Sequence, residues 1–136
     1  MLEATIVMPV AISLMAGGIE FGNLLSSYGT AAKSVRNAAR YLARVPEGTV
    51  CTSGQTVATN LALYGNASGT GTALLPPLTT TITFPDPCPS TSVTVQAVIL
   101  YTPLMFTGIP FTSIQFGGWP VTVTHKEPYI GVVLLL

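Results

Sequence analysis

From Ala4 to Leu25 the chain reads ATIVMPVAISLMAGGIEFGNLL, an apolar run with a single charged residue, Glu20. As a helix this run would measure about 33 Å, a match to the roughly 30 Å hydrocarbon core of a bilayer. It is therefore a membrane-span candidate. A cleavable signal peptide would need a basic stretch ahead of the apolar run, and residues 1–3 (MLE) hold none, so the segment is expected to be retained.

The pattern then changes without a helix breaker. Tyr28 to Val45 reads YGTAAKSVRNAARYLARV, with Ala31, Val35, Ala38 and Leu42 at helical spacing. Lys33, Arg36, Arg40 and Arg44 also fall three or four apart and form a basic stripe beside that apolar face. One long helix, hydrophobic in its first half and amphipathic in its second, accounts for both. Run to about Val45 it would measure roughly 60 Å. Pro46, Glu47 and Gly48 supply the stop, and the basic residues of the last turns oppose the negative end of the helix dipole.

Beyond Gly48 the residues become Thr, Gly, Pro and β-branched types with almost no charge, and the expectation is that helix gives way to strands and turns. Thr56–Tyr64 is ambiguous between a short helix and a strand, and Gly65–Gly71 is a loop. Thr79–Phe84, Ser92–Tyr101 and Trp119–His125 read as strands, broken by Pro85–Pro89 and Thr107–Pro110. The tail Gly131–Leu136 (GVVLLL) is too short to cross a bilayer and is expected to pack on the domain or on a neighbour. The expected architecture is α+β: residues 1–27 a membrane-spanning or filament-core helix, 28–46 its amphipathic continuation, and 47–136 a small antiparallel β-rich domain packed against that second half.

Composition narrows function further. Charged residues are 7% of the chain against roughly a quarter in ordinary soluble domains, apolar residues are 49%, and mean hydropathy is +0.59. Five Lys/Arg balance five Asp/Glu, so no net field draws in nucleic acid, and near-zero charge favours self-association. The basic stripe has Tyr41 as its only interleaved aromatic, which is a solvated face rather than a nucleic-acid surface. His125 stands alone beside Lys126 and Glu127, Asp86 sits in a Pro-rich turn, and no GxSxG elbow, Walker loop, GxGxxG or metal-ligand spacing is present. The chain is expected to be non-enzymatic, without metal or cofactor. Cys51 and Cys88 lack CxxC spacing and either pair as a disulfide, which requires an oxidising compartment, or remain buried thiols. The sequon at Asn66 is of a kind that recurs by chance.

Within the apolar half, Pro9 is expected to free the Thr5 carbonyl and bend the rod. Gly18, Gly22 and Ser26 form a small-residue ridge of the kind that lets helices approach closely in lipid. Glu3 and Glu20 stand near the two ends of the run, where a charge costs less than at mid-span. With the N-terminus cytoplasmic, the cluster Lys33–Arg44 would lie outside, against the positive-inside rule, whereas the reverse orientation would put the cysteines in a reducing compartment. A basic leader ahead of Met1 would remove the conflict.

The stretch LEATIVMPVAISLMAGGIEFGNLL followed by AAKSVRNAARYLAR resembles the TadE-like proteins of tight adherence (Tad) pilus systems, which are similar to type IV pilins. The matching elements are the early Glu3, Pro9, the step Gly18–Gly22, the step Asn37–Arg40, and further on Ala62–Asn66, Leu74–Leu78 and Val93–Val95. The resemblance implies a precursor cut by a prepilin peptidase, a helix extracted from the inner membrane by a pilus assembly platform, and an extracellular filament supporting adherence. On that reading the partners are other copies of this chain or other pilins. Helices bundle in the core, Cys51–Cys88 locks the outer domain, and Lys33, Arg36, Arg40 and Arg44 set the charge register. Glu20 and Arg36 lie about 24 Å apart along a helix axis, so an axial offset between subunits could pair them, and Glu3 could meet a neighbour's N-terminal amine. Two other classes fit the same residues: a membrane-anchored pseudopilin that primes assembly, and an extracytoplasmic adhesin or binding domain on an ordinary membrane tether.

Overall fold

The computed structural model describes residues 2–76, 79–86, 91–103 and 118–131, with side chains from residue 7 onward. The expected single rod is present as α1, Leu2–Leu42, which is 41 residues and about 62 Å long. It runs through Pro9, which has no N–H to offer the Thr5 carbonyl. α1 stops a turn earlier than Pro46 demands. The chain tightens after Leu42, with Arg44 N–H donating to the Tyr41 carbonyl (3.1 Å) and Val45 N–H to that of Leu42 (3.3 Å).

The expectation that helix gives way to strand after Gly48 is corrected. A short turn α2, Glu47–Thr49, leads through a π-helical turn, Val50–Gly54, into α3, Gln55–Tyr64. Local propensity is weak here, and the tertiary contact decides. Ala58 and Ala62 of α3 are fully buried, and so are Ala38 and Ala39 of α1, so the two helices approach through methyl groups. Gly54 is needed at the bend, because a Cβ there would lie 2.7 Å from the Thr49 carbonyl oxygen. Gly65 ends α3 in the left-handed region (φ 73°), its N–H donating to the Leu61 carbonyl at 3.0 Å.

Three antiparallel strands follow in the order β1-β2-β3: Thr80–Thr83, Ser92–Tyr101 and Trp119–Pro128. β2 has the bounds expected from its sequence. β3 extends past His125 because Lys126, Glu127 and Pro128 pair with Thr94, Val93 and Ser92; the charged triplet reads as loop until a partner strand holds it. Its Pro120 and Pro128 are tolerated because β3 is an edge strand among the described residues. Val93, Val95, Ala97 and Ile99 of β2 face α1 and close the core over Val35, Ala38 and Leu42.

The chain after β3 returns to the end of α1. Ile130 and Gly131 N–H groups both donate to the Ala43 carbonyl (3.0 and 3.2 Å), and the Tyr129 hydroxyl donates to the Val45 carbonyl (2.7 Å). Carbonyls that a helix end leaves without partners are satisfied in this way by a distant segment. The apolar tail Val132–Leu136 lies outside the described residues.

Candidate functional site

The long helix has two faces with different fates. Ala31, Ser34, Val35, Ala38, Ala39 and Leu42 are buried against the sheet and α3, with the Ser34 hydroxyl satisfied by the Ala31 carbonyl at 2.9 Å. At about 100° per residue, Gly18, Gly22, Ser26, Gly29, Lys33, Arg36 and Arg40 fall within roughly 80° of one another, on the opposite side, and Arg44 follows in the turn after α1. The ridge and the stripe are thus one continuous face of one rod. Gly18, Gly22, Ser26 and the four basic residues are exposed, and a Cβ added at Gly18, Gly22 or Gly29 would meet nothing within 4 Å among the described residues. The first half of α1 has little covering it: Val7, Met8, Ile12, Leu14 and Met15 are all exposed, Leu14 at 74%. Among the described residues this is the one helix long and apolar enough to cross a membrane.

Where the covered and uncovered halves meet, Glu20 turns inward. Its carboxylate accepts a hydrogen bond from the hydroxyl of Tyr101, the last residue of β2. The same hydroxyl lies 3.3 Å from the Glu20 carbonyl oxygen and accepts from Asn23 Nδ2 at 3.4 Å. Desolvation, reinforced by the Glu20 carboxylate, pushes the Tyr101 phenol above its ordinary pKa and keeps it a donor. Glu20, expected to wait for a neighbour's Arg36, therefore has a partner within its own chain. Tyr101→Phe should cost about 1 kcal/mol in thermal unfolding, since the bond is charge-assisted but partly solvated. An unchanged melting temperature would show that the contact contributes nothing.

Residues 1–40 match the TadE-like protein family. No curated protein and no solved structure matches the chain. The match connects the chain to Tad pilus systems, and it ends where α1 enters its last turn, so the TadE-like segment is the helix itself, both faces included. Gly18, Glu20, Gly22, Ser26, Lys33, Arg36 and Arg40 all lie in it, and Arg44 lies beyond it.

At the far end of the TadE-like segment the basic stripe meets β3. Arg40 Nε is 3.8 Å from Glu127 Oε1, and His125 Nε2–H donates to that same oxygen at 2.8 Å. The His125 bond, with smaller help from the Arg40 and Arg36 charges, holds the Glu127 carboxyl below the usual glutamate range. A depressed folded pKa stabilises the fold at pH values above the titration of the unfolded carboxylate, and that contribution is lost as pH falls through the folded pKa. In Glu127→Gln the melting temperature should fall slightly at neutral pH and converge with that of the parent in acid. A difference that persists unchanged in acid would exclude the linkage. Lys33, Arg36 and Arg44 remain exposed and form no ion pair among the described residues.

The structure leaves some expected residues without a test. The Glu3 side chain and Cys88 lie outside what is described. Pro9 is exposed, and its carbonyl accepts from the Ser13 hydroxyl at 2.8 Å. Asn66 uses its amide inside the loop, donating to the carbonyls of Thr70 (2.7 Å) and Tyr64 (3.3 Å), so a glycan on that nitrogen would disrupt this packing. Tyr101 and the Ile130–Gly131 cap escaped sequence reasoning, because neither lies near α1 in the chain. No cluster of metal-ligating side chains occurs among the described residues.

Proposed function

We propose that the chain is a pilin-like structural subunit of a bacterial surface filament, held in the inner membrane by α1 and then packed through α1 into the filament core. The observation that carries this is the uncovered outer face of the TadE-like segment. It is apolar and small where helices would pack together, and basic where they would reach the outer layer. Moving the apolar half from lipid to neighbouring helices costs little transfer energy, so close packing at Gly18, Gly22 and Ser26 supplies the drive and Lys33, Arg36 and Arg44 the register. The acidic partner of Arg36 is better sought at Glu3 than at Glu20, which is held by Tyr101.

The domain of α3 and the sheet forms the filament's outer layer, with adherence as the outcome. Cys51, which is exposed at the π-helical turn, is read as bridged to Cys88 outside the cytoplasm. Processing by a prepilin peptidase and extraction by an assembly platform follow from the same reading, and no catalytic role is assigned. Electron microscopy of surface material tests it. Filaments composed chiefly of this chain, lost when the chain is shortened to begin at Gly17, support a subunit. A chain recovered solely as detergent-soluble monomers rejects filament formation.

A further inference from the structure

The domain and the helix it covers have matched lengths. Ten residues of β2 measure about 33 Å, and the helix from Glu20 to the Ala43 cap measures about 35 Å. The contact of Tyr101 with Glu20 therefore marks the floor of the domain. Below that floor the uncharged run of α1 from Ile19 back to Ala4, bounded by Glu3, measures about 24 Å, most of the thickness of a hydrocarbon core.

The floor itself has a distinctive make-up. Tyr101 pairs across the sheet with Trp119, so both rings lie on the helix side of the last rung. Trp119 is 65% exposed, and Phe21 of α1 is also exposed just above Glu20. Leu100, one residue inward on the opposite face of the sheet, is exposed as well. The single nearby charge is Glu20, which is hydrogen-bonded to Tyr101, and the nearest cation on α1, Lys33, is about 20 Å away along the axis. The sequence joining the two strands, residues 102–118, contains no charged residue. An exposed tryptophan is common by itself. An uncharged aromatic end of a sheet, set where an uncovered apolar helix enters the domain, is the composition found where Trp and Tyr meet lipid headgroups.

We propose that the Tyr101/Trp119 end of the sheet is a membrane-interface rim that seats on the phospholipid headgroup layer and fixes the depth of α1, with the hydrocarbon boundary at Glu20. The inference rests on the membrane-held state of the proposed function and is continuous with the span it assigns. It shortens the span expected from hydropathy, which ran on to Leu25. It also gives the Glu20–Tyr101 bond a role: the charge is held at the boundary, where it can stay hydrated on one side.

Trp119 is the one tryptophan of the chain, so its fluorescence reports this position. The full chain is reconstituted in phosphatidylcholine and phosphatidylglycerol vesicles carrying phosphatidylcholine brominated either near the headgroup or near the acyl-chain end. Trp119 emission should shift to the blue and lose more intensity to the shallow bromines than to the deep ones. A second protein, Ile12→Trp with Trp119→Phe, should show the reverse preference. Water-like, bromine-insensitive emission from Trp119 alongside deep quenching of the second protein would overturn the rim and leave the span standing. Blue-shifted but bromine-insensitive emission would also overturn it, since another copy of the chain, not lipid, would then cover the ring. Loss of quenching in both proteins would reject the membrane-held state itself, and the rim with it.

Discussion

Leu42→Ala should lower the stability of the folded domain by about 2–5 kcal/mol, which for a domain of this size is a fall of roughly 10–30 °C in melting temperature. Leu42 is 1% exposed and is one of the largest fully buried side chains among the described residues. The other buried residues of its core cluster are all alanines and valines, short side chains that can refill only part of the space it would leave. Ala38, Ala39, Ala58 and Ala62 have no side chain to swing into a void, and the turn at Gly54 has only backbone to offer. A cavity there stays open, and its cost adds to the lost transfer energy. Thermal unfolding in detergent, followed by near-ultraviolet circular dichroism, measures it. A loss under about 1 kcal/mol would mean that α1 and α3 close on one another and that the alanine contact is less fixed than the structure shows.

Gly22→Leu should abolish filaments while leaving the monomer at least as stable as the parent. Leucine exceeds glycine in helix propensity by up to about 1 kcal/mol, and a Cβ at this position meets nothing within 4 Å among the described residues, so the side chain leaves the backbone without a clash. The damage would fall wholly between subunits, where an isobutyl group holds neighbouring backbones apart. Gly22→Ala should assemble to an intermediate degree. Melting temperature in detergent and filament count by electron microscopy read the two effects separately. Normal filaments from the leucine variant would show that the ridge faces lipid or solvent in the assembly and that packing uses another face of α1.

Much of this was legible in the residues. The rod from Leu2, its apolar and amphipathic halves, the core positions Ala31, Val35, Ala38 and Leu42, and the bounds of β2 all follow from periodicity and β-branched content, which are local signals. The helical turns of residues 47–54 were not legible and Thr56–Tyr64 stayed open between helix and strand, because Thr, Gly and Ala there carry no decisive propensity and α3 forms where an alanine face of α1 receives it. The last three residues of β3 were hidden for a related reason: Lys126, Glu127 and Pro128 become strand only against Ser92–Thr94.

For the candidate site the division is similar. The residues alone laid out the outer face from Gly18 to Arg40, because helical spacing is fixed once the helix is granted. They could not say which carboxylate stays available to a neighbour. That depended on where a strand far along the chain would end, and Tyr101 ends beside Glu20 only because the length of the sheet matches that of the covered helix. Long-range pairing of this kind is set by the closure of the core, and a choice of partner made there leaves no periodic trace in the chain.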